Sequence, residues 1–247
     1  LMACAARQAS YWRDDETLWR HALACTTDNG KAEFGLADSL FRQGRFDEAI
    51  VYFLKAEQHP IDAAPFSNLG VLFARLGRTD EAIAEYRQAL AIEPDYYAAH
   101  VNLGLALLGQ KAPDEATEHF RRALEIEPRG VEARCGLGHV LLRANQIDQA
   151  RAEFAAAVAA NPRHVVAQTE LAQTLLRQGD VDAAIRHCRA ALALDPKFYP
   201  AHIQLGRALT ASGQTDEAAA HYRQALEIDP SNAVARRNLD SLGRADR

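Results

Sequence analysis

Apolar side chains in this chain fall on short faces with a 3.6-residue period, and two kinds of break separate the faces. One break is a glycine: Gly44, Gly77, Gly179 and Gly213, with Asn145 and Lys111 at the equivalent places. The other is a proline: Pro60, Pro94, Pro128, Pro162, Pro196 and Pro230, each 34 residues after the one before. With this proline as position 32, the pattern divides the chain into units 30–62, 63–96, 97–130, 131–164, 165–198 and 199–232. The first unit lacks one residue near its end. Each unit predicts a first helix, A, over roughly positions 2–14. A second helix, B, opens with Asp47, Asp80, Asp114, Asp148, Asp182 or Asp216, whose carboxylate complements the positive end of the helix dipole. Proline stops helix B because it has no N–H to donate to the next turn.

The register holds at the other positions. Position 7 is Leu36, Leu69, Leu103, Leu137, Leu171 and Leu205. Position 20 is alanine throughout, from Ala49 to Ala218, and so is position 27, from Ala56 to Ala225. Position 8 is Ala37, Gly70, Gly104, Gly138, Ala172 and Gly206. Position 24 is Phe53, Tyr86, Phe120, Phe154 and Tyr222, with Cys188 as the exception. Small residues at 8, 20 and 27 let two helix axes approach closely, and the large residue at 24 fills the gap between them. Gly or Asn at position 15 supplies a left-handed C-cap to helix A, so Lys111 predicts a strained or different turn.

These positions resemble the tetratricopeptide-repeat family, a 34-residue helix–turn–helix, over residues 30–232. The resemblance implies an all-α solenoid of tandem hairpins winding into a right-handed superhelix. It also implies a non-catalytic scaffold that binds a protein or peptide segment in a concave groove lined by the A helices. One hairpin cannot bury its apolar face alone, so neighbours stack into a continuous core.

The two ends read differently. Residues 233–247 predict a capping helix with Ser231 as N-cap, Leu239 and Leu242 inward, and Arg236, Arg237, Arg244 and Arg247 outward. Residues 1–29 predict a degenerate half-repeat or a juxtamembrane cap: Trp19 and Ala22 align with positions 24 and 27, but Asp15 stands where alanine is expected. The stretch from Ser10 to His21 is similar to a segment of polytopic membrane proteins that resemble lipid-linked-sugar glycosyltransferases and carry tetratricopeptide tails. That resemblance implies that Leu1–Ala9 ends a membrane span and that the chain is a tail presenting an acceptor. The alternative is a simple cap in which Tyr11, Trp12 and Trp19 cover the first repeat. A start at Leu1 with Met2 second points to a piece of a longer protein.

Composition narrows the chemistry. The chain is 48% hydrophobic and 25% charged with a net charge of -5, so it folds, and it lacks the basic field of a general nucleic-acid binder. Cys4, Cys25, Cys135 and Cys188 form no C-x-x-C pair, which argues against a zinc site or a dense disulfide framework and leaves the compartment open. Cys188 reads as a buried small apolar residue and Cys135 as exposed in the groove. His119, His187 and His221 recur at position 23 and His100 and His202 at position 4, which reads as repeat duplication, not metal coordination. The glycines form no phosphate loop. No cofactor, metal or catalytic centre is predicted.

The groove is predicted from positions 2, 5, 6, 9, 12 and 13. Position 6 presents Asn68, Asn102, Gly136, Glu170 and Gln204, continued by Asn238 in the cap. Each Asn or Gln amide carries a donor and an acceptor and can pair with a peptide backbone. The row is similar to the inner groove of O-linked GlcNAc transferases, broken here at Gly136 and Glu170. His139, Arg143, Gln173, Arg177 and Arg207 follow, and the arginines suit a carboxylate on the partner unless they pair with Glu132 and Glu170. The clamp of chaperone-binding tetratricopeptide domains needs cations and Asn at positions 2, 5, 6 and 9. Only the Asn survives, so no grip on heat-shock chaperone tails is expected.

Overall fold

The structure, a computed structural model, describes residues 14–59 and 62–245. Among these the chain forms fourteen α-helices and no strand. They are α1 (Asp15–Cys25), α2 (Gly30–Arg42), α3 (Phe46–Ala56), α4 (Ala64–Arg75), α5 (Thr79–Ile92), α6 (Tyr97–Gly109) and α7 (Pro113–Ile126) in a first compact unit, Leu1–Ile126. A second unit, Glu127–Arg247, holds α8 (Val131–Arg143), α9 (Ile147–Ala160), α10 (Val165–Arg177), α11 (Val181–Leu194), α12 (Tyr199–Ala211), α13 (Thr215–Ile228) and α14 (Ala233–Ala245).

Within each unit every helix packs on the next in sequence. The first helices of successive hairpins also touch: α2 with α4 and α4 with α6 in the first unit, α8 with α10, α10 with α12 and α12 with α14 in the second. Among the described residues the second helices do not pack on one another. They reach across only by long side chains, as in Arg87–Glu115 at 2.7 Å and Arg189–Glu217 at 3.0 Å. In each unit the A helices therefore form one continuous layer.

The contact inside a hairpin is a ring seated on a glycine. The Tyr86 ring lies over Gly70 and Phe120 over Gly104; Phe154 lies over Gly138 and Tyr222 over Gly206. A methyl group on Gly104 would come within 2.7 Å of the Phe120 ring, closer than any van der Waals contact. Phe53, Phe120, Phe154 and Tyr222 are among the largest fully buried side chains, and burying each contributes about 1.5–3 kcal/mol. Cys188 is fully buried in the same role, and burial pushes its thiol up to about 12.

All six turns between A and B take the left-handed conformation at position 15. Gly44, Gly77, Gly179 and Gly213 lie at φ 78°, 74°, 83° and 81°, and Asn145 at 58°. Lys111, where a strained or different turn is expected, takes φ 64° and closes the same turn under strain, with its N–H on the Leu108 carbonyl. The tertiary contacts of α6 with α7 hold a conformation that lysine does not prefer.

At the C-terminus, Leu242 is buried and Leu239 packs against the second unit's core. The N-cap of α14 is Asn232, whose Oδ1 accepts from the Ala235 N–H at 3.1 Å, not Ser231. The Ser231 hydroxyl instead donates to Asp229 at 2.7 Å. At the other end Trp19 packs against Gly35, and Asp15, in the place of a small residue, pairs with Arg42 at 2.8 Å. Glu16 also ties α1 to the α2–α3 turn through Arg45 at 2.9 Å. Leu1–Ala9, Tyr11, Trp12 and Pro60 lie outside the described residues. No helix among the described residues is long and apolar enough to cross a membrane.

Candidate partner-binding face

A bracket at most of the hairpin junctions fixes how the A helix presents its outer residues. The position 4 side chain reaches back to the carbonyl of the preceding proline and across to position 23 of its own hairpin. His100 Nε2 lies 2.9 Å from the Pro94 carbonyl and its Nδ1 2.9 Å from His119 Nδ1. His202 repeats this with Pro196 and His221, both at 3.0 Å. A carbonyl oxygen only accepts, so Nε2 carries the proton in His100 and His202. Their Nδ1 atoms then accept a hydrogen bond from the Nδ1–H of His119 and His221. Burial, and then the facing histidine, depress the pKa of His119 and of His221.

Elsewhere the same bracket is built from other chemistry. Gln168 donates to the Pro162 carbonyl at 2.8 Å and accepts from His187 at 2.7 Å. Arg134 donates to the Pro128 carbonyl at 2.8 Å and to Glu153 at 3.0 Å. Arg236 donates to the Pro230 carbonyl, so it fastens the cap and is not simply a solvating charge. The sequence reads these histidines, at position 23 of helix B and position 4 of helix A, as repeat duplication and does not pair them. The signal for the bracket was a hydrogen-bonding residue at position 4 in nearly every unit.

Phe66 at position 4 of unit 63–96 cannot make the bracket. Its position 23 residue, Glu85, meets Glu57 instead. Burial, then the facing carboxyl, push Glu57 up to about 8, and burial raises Glu85 as well. Two acids in contact at neutral pH hold a proton between them.

In the first unit the A layer presents Asn68 and Asn102 at position 6, both half-buried. Their side-chain amides make no hydrogen bond among the described residues. Beside Asn102, Leu105 at position 9 is 45% exposed, large for an apolar residue. Arg75, at the end of α4, sits over the Phe41 ring of α2 at 4.9 Å.

The second unit presents charge. Gly136 is buried, so position 6 offers no side chain there. His139 stands edge-on to Phe154 at 5.5 Å and 3.9 Å from Glu170. Glu170 is half-buried, and burial raises its pKa against the opposing pull of His139 and Arg177. Arg143 and Arg177 are exposed. Gln204 donates to Gln173 at 3.5 Å and accepts from Arg207 at 3.0 Å. Arg207 does not pair with Glu132 or Glu170, and Glu132 lies 3.8 Å from His164. Asn238, from the cap, lines the same depression as Tyr222 and Arg207. Cys135, expected in the groove, is 7% exposed; burial pushes its thiol up to about 12, so it belongs to the core. The described residues contain no cluster of three or more His, Cys, Asp or Glu suited to a metal ion.

Stacked helical hairpins with a single layer of first helices are the architecture of repeat scaffolds for protein interaction. Models of the tetratricopeptide repeat match residues 28–95, 67–130, 135–198 and 175–237, and the chain belongs to the tetratricopeptide-repeat family. Protein O-mannosyl-transferase TMTC3 of Homo sapiens is 30% identical over 96 residues, which is 36% of this chain and 10% of that protein. The Hsp70-Hsp90 organising protein of Plasmodium falciparum is 33% identical over 67 residues, 27% of each chain. The chain thus spans about a tenth to a quarter of the length of these relatives. The crystal structure of the Cut9–Hcn1 hetero-tetramer of the APC/C aligns with TM-score 0.82 at 17% identity, over 91% of this chain and 45% of that one. PilF of Pseudomonas aeruginosa aligns with TM-score 0.73 at 22% identity, over 88% and 97%. YrrB, described as a tetratricopeptide protein with an unusual peptide-binding site, aligns with TM-score 0.54 at 24% identity, over 75% and 96%. Identities this low establish the fold.

Proposed function

We propose that the chain is a scaffold that holds an extended segment of a partner protein along its A-helix layer. The observation that carries this reading is the pair Asn68 and Asn102, half-buried amides one repeat apart with no hydrogen-bond partner among the described residues. A polar group left half-buried and unpaired is a cost that a peptide backbone relieves, because it offers a donor and an acceptor to each amide. The exposed Leu105 beside them provides an apolar contact for a side chain of the same segment. Gln204 and Asn238 supply amides at the same register in the second unit. A chaperone-tail clamp is disfavoured despite the match to the organising protein. The position 5 residues Ser67, Val101, Cys135, Thr169 and Ile203 are buried and carry no cation.

The test is a selection of random dodecamer peptides on the purified chain, followed by fluorescence anisotropy with the peptides retained. Alanine at Asn68, Asn102, Gln204 and Asn238 together is expected to weaken binding at least tenfold with unchanged helicity. Unchanged affinity defeats the proposal. A second reading is favoured by the match to the O-mannosyl-transferase: the chain would be the accessory tail of a membrane-bound glycosyltransferase, with the same layer presenting the acceptor. The genomic sequence upstream of Leu1 separates the two. Several apolar spans support the tail, and a soluble domain or a start codon removes it.

A further inference from the structure

Resting on the reading of the A layer as a partner-binding face, we infer that the second unit contains a subsite for a glutamate side chain of the bound segment, centred on Arg207. The subsite is the depression lined by Leu176, Arg207, Thr210, Tyr222, Asn238 and Ser241, where α12, α13 and α14 meet beside the end of α10.

The electrostatics single out Arg207 on this face. Glu170 already lies under the influence of Arg177 and His139. Arg207 is half-buried, and among the described residues its only hydrogen bond is one guanidinium N–H donated to Gln204 Oε1 at 3.0 Å. No carboxylate among the described residues pairs with it. A guanidinium has five N–H donors in a planar fork, so most of its capacity for bidentate contact remains open. A half-buried cation without a counter-ion favours an incoming anion more strongly than an exposed one, because less water competes.

The neighbours narrow the ligand. Thr210 and Ser241 donate their hydroxyl protons to backbone carbonyls, at 2.8 Å to Gly206 and 2.7 Å to Asn238, so they offer oxygen and no proton. The Asn238 amide is a donor at the rim, and Tyr222 stays protonated because burial raises its pKa. A phosphate, with three acceptor oxygens and up to two charges, would meet one cation and few free donors. A carboxylate needs fewer. Leu176 and Ala211 supply the apolar part of the lining, which suits the methylene stem of a side chain. The α-carboxylate of a chain end has no such stem, so the proposal commits to an internal glutamate.

The experiment is a titration of the ¹⁵N-labelled chain followed by NMR, with three small probes. N-acetyl-glutamate N-methylamide carries only a side-chain carboxylate. Its glutamine analogue carries none, and N-acetyl-alanine carries only an α-carboxylate. The glutamate probe is expected to shift the backbone resonances of Thr210, Ala211, Asn238 and Ser241, and to bind at least tenfold more tightly than either alternative. Arg207→Gln should abolish these shifts while leaving the remaining spectrum dispersed. If that variant is misfolded, Asn238→Asp, which places a competing carboxylate at the rim, should abolish them instead. Equal shifts with the glutamine probe, tighter binding of N-acetyl-alanine, or shifts that survive the Arg207 or Asn238 substitution overturn the proposal. Selected dodecamers that still bind through Asn68 and Asn102 would leave the wider function standing in that case.

Discussion

Among the six turns that join the A and B helices, Lys111 occupies the left-handed position that elsewhere holds glycine or asparagine, at φ 64°. Replacing it with glycine removes the clash of Cβ with the backbone, a relief of about 1–2 kcal/mol for an ordinary residue. Against this, glycine loses more conformational freedom on folding, which costs about 0.5–1 kcal/mol. Lys111 is exposed, so little packing is lost with its side chain. The net expectation for Lys111→Gly is a gain of about 0.5–1 kcal/mol. For a chain of this size that is a rise in melting temperature of about 2 °C. The reverse change, Gly77→Lys, forces the same penalty on a turn at φ 74° and should destabilise by about 1 kcal/mol. Thermal unfolding by circular dichroism reads both, with urea midpoints as a second measure. If Lys111→Gly lowers stability while Gly77→Lys has no effect, left-handed strain is not what distinguishes position 15, and the account of the turns fails.

The histidine pairs should make the fold acid-sensitive. The native state holds His119 and His221 neutral, with lowered pKa, so their contribution is present above the ordinary value of about 6.5 and is lost as pH falls through the depressed native value. Replacing His100 and His202 with Gln, the residue that already serves at Gln168, should leave stability at pH 7.5 nearly unchanged and flatten its decline toward pH 5, as read from urea midpoints. The Glu57–Glu85 contact has the opposite sign. Glu57 is raised to about 8, so the contribution is complete below the ordinary carboxylate range and lost as pH climbs through about 8. Glu85→Gln is therefore expected to be more stable than the parent at pH 9 and closer to it at pH 5.

The helices were legible because their determinants are local and repeated. Small residues at positions 8, 20 and 27, a plug at 24 and a proline at 32 leave few ways to pack, and the rings of Tyr86, Phe120, Phe154 and Tyr222 sit on the expected glycines. The bracket was not legible because its members change type: His with His, Gln with His, Arg with Glu. What persists is a geometric task, which residue identity conceals. Position 5 was misread for a related reason. A shift of one residue turns a side chain by about 100°, and Cys135 faces the core while His139, four residues on, is half-buried beside Glu170. Ser231 and Asn232 differ by the same single step. On the candidate face, the amides and arginines could be named from the sequence. Which arginine lacked a carboxylate could not, because that depends on how neighbouring hairpins set His139 and Arg177 around Glu170.

The proline carbonyl that anchors each bracket lies three residues before the formal start of the next repeat, while its donor is the fourth residue inside it. A truncation drawn at the arithmetic boundary therefore separates a latch from its catch. A fragment beginning at residue 131 would keep Arg134 and discard the Pro128 carbonyl it holds at 2.8 Å, whereas one beginning at residue 127 keeps both. Expression boundaries for pieces of this chain are better placed upstream of the proline than at the helix that follows it.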